Sequence, residues 1–581
     1  MAQPQPFILL APTDPRAVVS EWIAVAIESH QLNRFPDAER QLRHALQLEP
    51  DNVRAYNNLA CAYGAGGNYK EALLAVERAA MLAKHAVPTV GGQGMPEEVH
   101  GVALCNWALI LMDMEQIELA TRKAELAVQV YPCKQTRTTL ALCYPVSGSP
   151  AKAIPLYNAV LDEEPKHFVA GMNAAFVQTL TDAAPQELLV QRRRFHEGQR
   201  QVGSGLKHHK LSLNGKPLRV GYVSGDYRRH SASSIFGGVV LKHSPAVEAY
   251  LYNTQPVDVE ADLVSKKYKD HAGVRWRDIS GTPDAEAEEL IRKDKIDILV
   301  DLSGHTGGGR LGLFTRRPAP VQATGWGFAH GTGLPEIDYF FADPVAVPVG
   351  ERQHYAERVV DLPCIVTYDP PVEYNLDGTS EPPAAKNGYV TFGCFSRYEK
   401  LSQAYLATCQ EVLLAVPDSR MEFKDNAFRR PGAVRHVLDI MDAVDPSRLS
   451  FRTGTGQPDH MLAYQRCDLI LDPFPHVSGT AGLEILWMGV PLVTIYGKQA
   501  AGRTSSSVLT LMGRTDWITY STEEYISKAS EWSRRSEDLA AARMTLRHEL
   551  LNSSVVRGYV EAVESMYMQL IKEKIGAHLN V

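Results

Sequence analysis

Four stretches in the first third of the chain repeat one helical pattern at a nearly constant spacing. Each places an alanine in the middle of an amphipathic run, at Ala38, Ala72, Ala120 and Ala153, so that successive alanines are 34, 48 and 33 residues apart. In three of the four, a proline follows twelve residues later and ends the helix, because proline cannot continue the backbone hydrogen-bond ladder. A small residue at a fixed phase lets two helices approach closely. The pattern therefore predicts stacked pairs of helices.

A period of about 34 residues with this alanine and proline pattern is the signature of tetratricopeptide repeats. We predict an α-helical tetratricopeptide superhelix over residues 1–205, with a concave inner surface. Asn58, Asn106 and Asn173 recur at related phases of the repeat. Because an amide both donates and accepts, they are candidates for a groove that grips the backbone of a protein or peptide acceptor. The alternative is that they are solvated helix residues or loop contacts.

Composition limits the kinds of partner. The formal net charge of −7 argues against a nucleic-acid partner. The 8 cysteines are widely spaced and form no Cys/His ligand cluster, which is typical of reduced thiols in a cytoplasmic protein. The first fifteen residues lack the basic start of a signal peptide, and no apolar run could span a bilayer. We therefore expect a soluble, cytoplasmic chain that does not contact membranes.

Beyond about residue 205, short apolar runs alternate with helical segments, which predicts parallel sheets covered on both faces. We predict two α/β lobes, at 206–383 and 384–581, with ligands held at the carboxyl ends of their strands. The last helical stretch, 556–575, is expected to pack across the junction between the lobes. The predicted strands are 218–225, 247–254, 296–304, 321–327 and 337–343 in the first lobe, and 389–396, 419–425, 448–454, 469–475 and 491–497 in the second.

The sequence contains no Asp-x-Asp triplet, which disfavours a sugar transferase that holds its diphosphate through a metal ion. Helix amino termini and basic side chains must then carry the phosphate charge. Such a place follows the strand that ends at Asp472, where a turn of small residues leads into a helix. Glu484 in that helix can accept hydrogen bonds from ribose hydroxyls. An ordinary N-capped turn is the alternative. The small residues are Ser478, Gly479, Thr480, Ala481 and Gly482.

Four long segments carry a family resemblance: LRVGYVSGDYRRHSASS (218–234), VDLSGHTGGGRLGLFTRRPAPVQATGWGFAHGTG (300–333), FGCFSRYEKLS (392–402) and LDPFPHVSGTAGLEILWMGVPLVT (471–494). Together they resemble the catalytic region of the O-linked N-acetylglucosamine transferases, in a bacterial form. The resemblance implies a two-lobed glycosyltransferase B fold and inverting transfer from UDP-N-acetylglucosamine to Ser or Thr hydroxyls of protein acceptors. It implies neither a metal nor another cofactor. A homodimer is left open.

The same resemblance assigns roles to individual residues. Lys400 matches the lysine that neutralises the UDP diphosphate. His230 matches an active-site histidine, either a general base or a contact to sugar or substrate. Asp301 and His305 fall where such motifs place acceptor and nucleotide contacts; Asp301 could relay the hydroxyl proton or only order its loop. His460 matches the histidine that packs against uracil.

Thr480, Ala481 and Glu484 match the family's phosphate and ribose positions, with some departures. The animal enzymes carry His-Thr-Thr where this chain has Gly479, Thr480 and Ala481, and an aspartate where it has Glu484. Arg397 stands where the family usually has a glutamine near the sugar. Two other functions remain open: a UDP-sugar transferase of the same fold that acts on a small molecule or glycan, and a non-catalytic nucleotide-binding scaffold.

Overall fold

The structure, a computed structural model, describes residues 15–85, 96–213, 215–370 and 381–579. The amino-terminal stretch that was compared with a signal peptide lies almost entirely outside these ranges. The chain forms two compact units, one of residues 1–147 and 155–163 and the other of residues 148–154 and 164–581. The boundaries predicted at 205 and 383 stay predictions.

The described part of the first unit is a series of helices, as the repeats predict. Ala38, Ala72 and Ala120 are fully buried, which explains why each repeat needs a small residue at this phase. The helices are α1 (Pro15–Gln31), α2 (Phe35–Leu48), α3 (Val53–Ala65), α4 (Tyr69–Lys84), α5 (Pro96–Asp113), α6 (Ile117–Val130), α7 (Lys134–Val146) and α8 (Ala153–Glu163).

The second unit contains two parallel sheets, which confirms the predicted two-lobed α/β fold. Within the described residues, the first sheet has the order β3-β2-β1-β4-β5-β6-β7 and the second the order β10-β9-β8-β11-β12-β13. The strands are β1 (Leu218–Ser224), β2 (Val247–Asn253), β3 (Val274–Asp278), β4 (Ile298–Asp301), β5 (Val321–Thr324), β6 (Tyr339–Ala342), β7 (Arg358–Asp361), β8 (Thr391–Cys394), β9 (Arg420–Lys424), β10 (Leu449–Arg452), β11 (Leu469–Leu471), β12 (Leu492–Ile495) and β13 (Ile518–Thr519).

Helices cover these sheets, and one continuous hydrophobic core runs through both lobes. They are α9 (Phe168–Val177), α10 (Pro185–Gln199), α11 (Ser233–Val240), α12 (Leu263–Lys269), α13 (Asp284–Asp294), α14 (Leu311–Thr315), α15 (Pro383–Asn387), α16 (Gln403–Ala415), α17 (Pro431–Ile440), α18 (Gln457–Tyr464), α19 (Thr480–Trp487), α20 (Thr504–Leu511), α21 (Thr522–Ser533), α22 (Ser536–Asn552) and α23 (Tyr559–Leu579). None of the described helices is both long and apolar enough to span a membrane.

Three strands were missed from the sequence: β3, β7 and β13, each at an edge of its sheet. β3 has the sequence VRWRD and is half-buried or exposed along its length. An edge strand faces water on one side and commonly carries charged residues. The apolar pattern of β3 is therefore too weak to identify this strand from the sequence.

The last two helices together contact both lobes. α22 packs on α19 of the second lobe, whereas α23 packs on α11 and β5 of the first. At the start of α23, the Tyr559 hydroxyl donates to the Cys364 carbonyl at 2.7 Å. The strand order reverses between β1 and β4 in one sheet and between β8 and β11 in the other. Ligands of open α/β sheets bind at such reversals, beyond the carboxyl ends of the strands.

Candidate active site

A cavity of about 570 Å³ lies beyond the carboxyl ends of strands from both sheets. Its walls are the loops that follow β1, β4 and β5 of the first lobe and β8 and β11 of the second, together with part of α9. This is where an open α/β fold is expected to hold its ligand. The predicted donor-site residues that line it are His230, His305, Arg397, Lys400, Ser478, Gly479, Thr480 and Ala481.

Lys400 is a buried cation in the wall of this cavity, with 9% of its surface exposed. Its Nζ atom donates to the Val477 carbonyl at 2.8 Å. Burial, followed by repulsion from Arg397, lowers the pKa of Lys400 to about 7. An ammonium group in so dry a position interacts strongly with negative charge that develops beside it.

The turn before α19 and the first residues of this helix line the same cavity. The Ser478 N–H donates to Asp472 Oδ1 at 2.9 Å, which fixes the turn, and α19 begins at Thr480. Thr480 and Ala481 line the cavity. Gly482, which was predicted to offer its amide to phosphate, instead donates it to the Gly479 carbonyl at 3.0 Å, because the first helical turn closes there.

His230 lines the cavity with 41% of its side chain exposed. The Ala232 N–H donates to Nδ1 at 3.2 Å, which leaves the proton of the neutral ring on Nε2. Burial lowers the pKa of His230, so the neutral form is favoured. In that form the ring can donate a hydrogen bond from Nε2. Of the two predicted roles, this geometry favours a contact to substrate over a general base.

Asp226, which the sequence analysis did not single out, lies in the cavity wall beside His230. Its Oδ1 atom is 3.5 Å from His230 Nδ1, and burial raises the pKa of the carboxyl group. The spacing of four residues is the only sequence signal that pairs them, and such a signal is common by chance. Asp226 can stabilise His230 if the ring becomes protonated.

Arg397 supplies a second cation on the exposed side of the cavity. Its guanidinium lies over the Phe176 ring, 5.6 Å from the centroid. Asn173, on the same helix as Phe176, also lines the cavity, and its Nδ2 donates to the Val169 carbonyl at 2.9 Å. Asn173 thus belongs to the second compact unit, whereas Asn58 and Asn106 belong to the first.

His305 and Asp301 are both buried, but only His305 is part of the cavity lining. Burial lowers the pKa of His305 to about 3, and its Nε2 donates to the Thr332 carbonyl at 2.8 Å. Asp301 accepts from the amide of Gly304 at 3.0 Å and the hydroxyl of Thr324 at 2.7 Å. Burial raises its pKa to about 6. These bonds favour the loop-ordering alternative for Asp301.

His460 and Glu484 lie behind the cavity rather than in its lining. The Tyr464 hydroxyl connects them: it is 2.9 Å from His460 Nε2 and donates to Glu484 Oε2 at 2.8 Å. Phe395, which does line the cavity, has its ring centroid 4.8 Å from that of Tyr464. The two predicted nucleoside contacts are therefore adjacent to each other and continuous with the cavity wall.

Asn58 lines a separate cavity of about 290 Å³ inside the helical unit, together with its neighbour Asn57. Asn106 Nδ2 donates to Asn57 Oδ1 at 2.9 Å, so these amides form one polar cluster. The rest of the lining combines aliphatic with charged side chains: Ile23, Ile27, Val99, Val102, Arg54 and Glu98. A surface with both amides and aliphatic side chains suits an extended peptide.

A larger cavity, of about 790 Å³, lies at the amino ends of the second sheet and is rich in arginine. Its arginines already have partners within the protein. Arg448 donates to the carbonyls of Leu413 and Ser419, and Arg466 pairs with Glu422. Because these cations are neutralised or hydrogen-bonded, the cavity is a weaker candidate for binding an anion.

Trp326 is a further cavity residue that sequence reasoning missed. It adopts a left-handed backbone conformation, with φ of 63°, and its Nε1 donates to the Tyr559 hydroxyl at 2.9 Å. A tryptophan in this conformation is unusual and persists only where the surrounding structure fixes it. The C-terminal helix therefore shapes one wall of the candidate site.

The chain is similar to a known family and to several named proteins. The family described as glycosyl transferase family 41 matches residues 204–367 and 384–562, and a tetratricopeptide repeat matches residues 42–73. A tomato (Solanum lycopersicum) relative named probable UDP-N-acetylglucosamine–peptide N-acetylglucosaminyltransferase SPINDLY is 33% identical over 365 residues, which are 61% of this chain and 39% of that protein. The chain spans about two fifths of the length of such relatives.

Two further comparisons agree with this match. The Arabidopsis thaliana protein named probable UDP-N-acetylglucosamine–peptide N-acetylglucosaminyltransferase SEC is 28% identical over 368 residues, 61% of this chain and 37% of that protein. Among solved structures, a mutant of the Thermobaculum terrenum O-GlcNAc transferase superposes with a TM-score of 0.75 at 26% identity, over 98% of this chain and 100% of that one. The predicted combination of repeat array and glycosyltransferase body is confirmed.

Proposed function

The chain belongs to glycosyl transferase family 41, and from this premise we propose that it transfers N-acetylglucosamine from UDP-N-acetylglucosamine to Ser or Thr hydroxyls of protein acceptors, with inversion and without a metal. One observation carries the proposal. The buried Lys400 ammonium group and the amino-terminal residues of α19 face the same cavity, a pairing suited to the two phosphates of a nucleoside diphosphate.

The reaction is a direct displacement. A hydroxyl of the acceptor attacks the anomeric carbon, the bond from that carbon to the β-phosphate oxygen breaks, and UDP leaves. Negative charge grows on the departing diphosphate, where Lys400 and the amides of Thr480 and Ala481 stabilise it. Approach of the two substrates in a cleft supplies a further part of the acceleration.

The hydroxyl proton has three candidate acceptors: His230, Asp301 and a phosphate oxygen of the donor. The proton on His230 Nε2 argues against the first, and the burial of Asp301, which accepts hydrogen bonds from Ser303, Gly304 and Thr324, argues against the second. We therefore propose that the proton passes to a phosphate oxygen, while His230 donates a hydrogen bond to substrate.

The acceptor is proposed to bind along the helical unit, where Asn58 and Asn106 supply amides. The test is Asn58→Ala. The KM for a protein acceptor should rise about fivefold, as expected for one lost hydrogen bond, whereas hydrolysis of the donor in the absence of acceptor should not change. Asn68→Ala, an exposed asparagine of the same unit, is the matched control. An unchanged KM for the protein acceptor would exclude Asn58 from acceptor binding, and transfer only to small molecules or glycans would favour that alternative.

The proposed chemistry is tested with the purified chain, a panel of UDP- and GDP-sugars, and mixed lysate proteins. Mass spectrometry should find N-acetylhexosamine on Ser and Thr only with UDP-N-acetylglucosamine, and a chelator should leave the rate unchanged. Transfer from another sugar nucleotide would overturn the donor assignment. Binding of UDP without any transfer would favour the scaffold function. The bacterial form, a homodimer and a cytoplasmic location stay predictions.

A further inference from the structure

Four hydrogen-bonded side chains form a line behind the nucleoside end of the site. Lys424 Nζ lies 2.6 Å from His460 Nδ1, His460 Nε2 lies 2.9 Å from Tyr464 Oη, and the Tyr464 hydroxyl donates to Glu484 Oε2 at 2.8 Å. We propose that Lys424 and Tyr464 are positioning residues that orient His460 and Glu484 to receive the nucleoside of the donor. The inference rests on the proposed function, because it presupposes a UDP-sugar.

The chemistry of the groups fixes the direction of every hydrogen bond. A carboxylate only accepts, so the Tyr464 proton must point at Glu484. The tyrosine oxygen then accepts from His460, which places the ring proton on Nε2. Nδ1 is left as an acceptor, and the ammonium group of Lys424, which only donates, lies beside it. The carboxylate of Glu484 at one end and the ammonium group of Lys424 at the other both require the neutral His460 ring to carry its proton on Nε2.

This arrangement leaves specific atoms for the ligand. Tyr464 engages Oε2 of Glu484, so Oε1 is left to accept from a ribose hydroxyl. Both ring nitrogens of His460 are engaged, so the imidazole is held at two points and offers a face rather than an edge for stacking on a base. A side chain that is already fixed by hydrogen bonds on the side away from the ligand loses little rotamer freedom when the ligand binds.

The supporting residues are themselves buried, as a rigid scaffold requires. Tyr464 is fully buried and Lys424 is 4% exposed. Phe395 packs against Tyr464 on one side and lines the cavity on the other, with its centroid 6.5 Å from that of His460. Tyr464 can therefore affect a bound ligand only through the residues that it contacts, which are His460, Glu484 and Phe395.

The first test compares binding of UDP and 2′,3′-dideoxy-UDP by calorimetry. The wild type should prefer UDP, and Tyr464→Phe should reduce that preference by about fivefold, the effect of one hydrogen bond. With saturating donor, kcat should stay within about twofold, since Tyr464 does not contact the reacting atoms. In Glu484→Ala, which removes the acceptor of the Tyr464 hydroxyl, the additional Tyr464→Phe change should have little further effect, because both variants break the same hydrogen bond.

The matched control is Tyr252→Phe. Tyr252 is also fully buried and donates to a carboxylate, Asp294 Oδ2 at 2.9 Å, but lies in β2 away from the cavity. It should lose a similar amount of stability and keep the full preference for UDP. If Tyr464→Phe also kept that preference, the inference would be wrong although the proposed function could stand. Failure of the wild type to bind UDP would defeat the proposed function itself.

A second measurement needs no ligand. Nitrogen-15 NMR of histidine-labelled protein should show His460 protonated at Nε2, and Lys424→Met should let the Nδ1 tautomer appear. His460 protonated at Nδ1 in the wild type would overturn the proposed line of hydrogen bonds, whatever nucleotide the protein binds.

Discussion

Lys400 and Val477 join the two loops that meet at the strand reversal of the second lobe. The Nζ atom of Lys400, in the loop after β8, donates to the carbonyl oxygen of Val477, in the loop after β11, at 2.8 Å. The bond holds the ammonium group beside Val477, which precedes the first residue of α19 by three positions. A cation and a helix amino terminus are thereby directed at one place, which is the basis of the leaving-group chemistry proposed above.

Replacing Lys400 by methionine keeps most of the length of the side chain and removes its charge. We expect sugar transfer to fall by about 10²-fold or more, because a preorganised group that stabilises developing charge is lost. Hydrolysis of the donor should fall in parallel. Steady-state release of UDP measures both. Lys269→Met, at an exposed position of α12, is the control; near-normal turnover of Lys400→Met would exclude the role.

The pH dependence follows from the lowered pKa of Lys400, about 7 in the free protein. Only the protonated form can stabilise the leaving group, so kcat/KM should decline as pH rises through about 7. The bound diphosphate favours the ammonium form, so the corresponding decline in kcat should lie at higher pH. Lys400→Arg, if active, should lose both declines, since arginine stays charged. A constant kcat/KM between pH 6 and 9 would contradict this.

Two substitutions separate the roles of His230. Glutamine can donate a hydrogen bond from its amide, so His230→Gln should retain activity within about tenfold of the wild type, whereas His230→Ala should lose more. A general base would instead cost about 10²- to 10⁴-fold in both variants. Initial rates at saturating donor and acceptor make the comparison. Equal and large losses would restore the general-base role.

Tyr559→Phe tests how the C-terminal helix supports the site. The variant leaves the buried Trp326 N–H without an acceptor and the Cys364 carbonyl without a donor. We expect the free energy of unfolding to fall by about 1–3 kcal/mol and the donor KM to rise, since Trp326 lines the cavity. Chemical denaturation and initial rates measure these effects. Tyr520→Phe, at a 69% exposed tyrosine, should change neither.

Much of the fold was predictable because short-range patterns of apolar residues in the sequence indicate its helices and central strands. Buried alanines at Ala38, Ala72 and Ala120 recur at the repeat spacing, and central strands are apolar runs, so both are visible in one dimension. The edge strands β3 and β7 were not predictable, since a strand that faces water on one side loses that signal, and β13 has only two residues. The loops that carry Lys400 and Thr480 were found from motifs, and both lie in the cavity wall.

The sequence by itself determined the repeat array, the two parallel sheets and the loops that carry the candidate site, because periodic burial and motif order are properties of neighbouring residues. Tertiary structure alone decided that Lys424 reaches His460, that Lys400 reaches the Val477 carbonyl, and that Trp326 reaches Tyr559. These are contacts between groups whose distance depends on how whole elements pack. No local pattern records them, since their hydrogen bonds form only after the sheets and helices are in place.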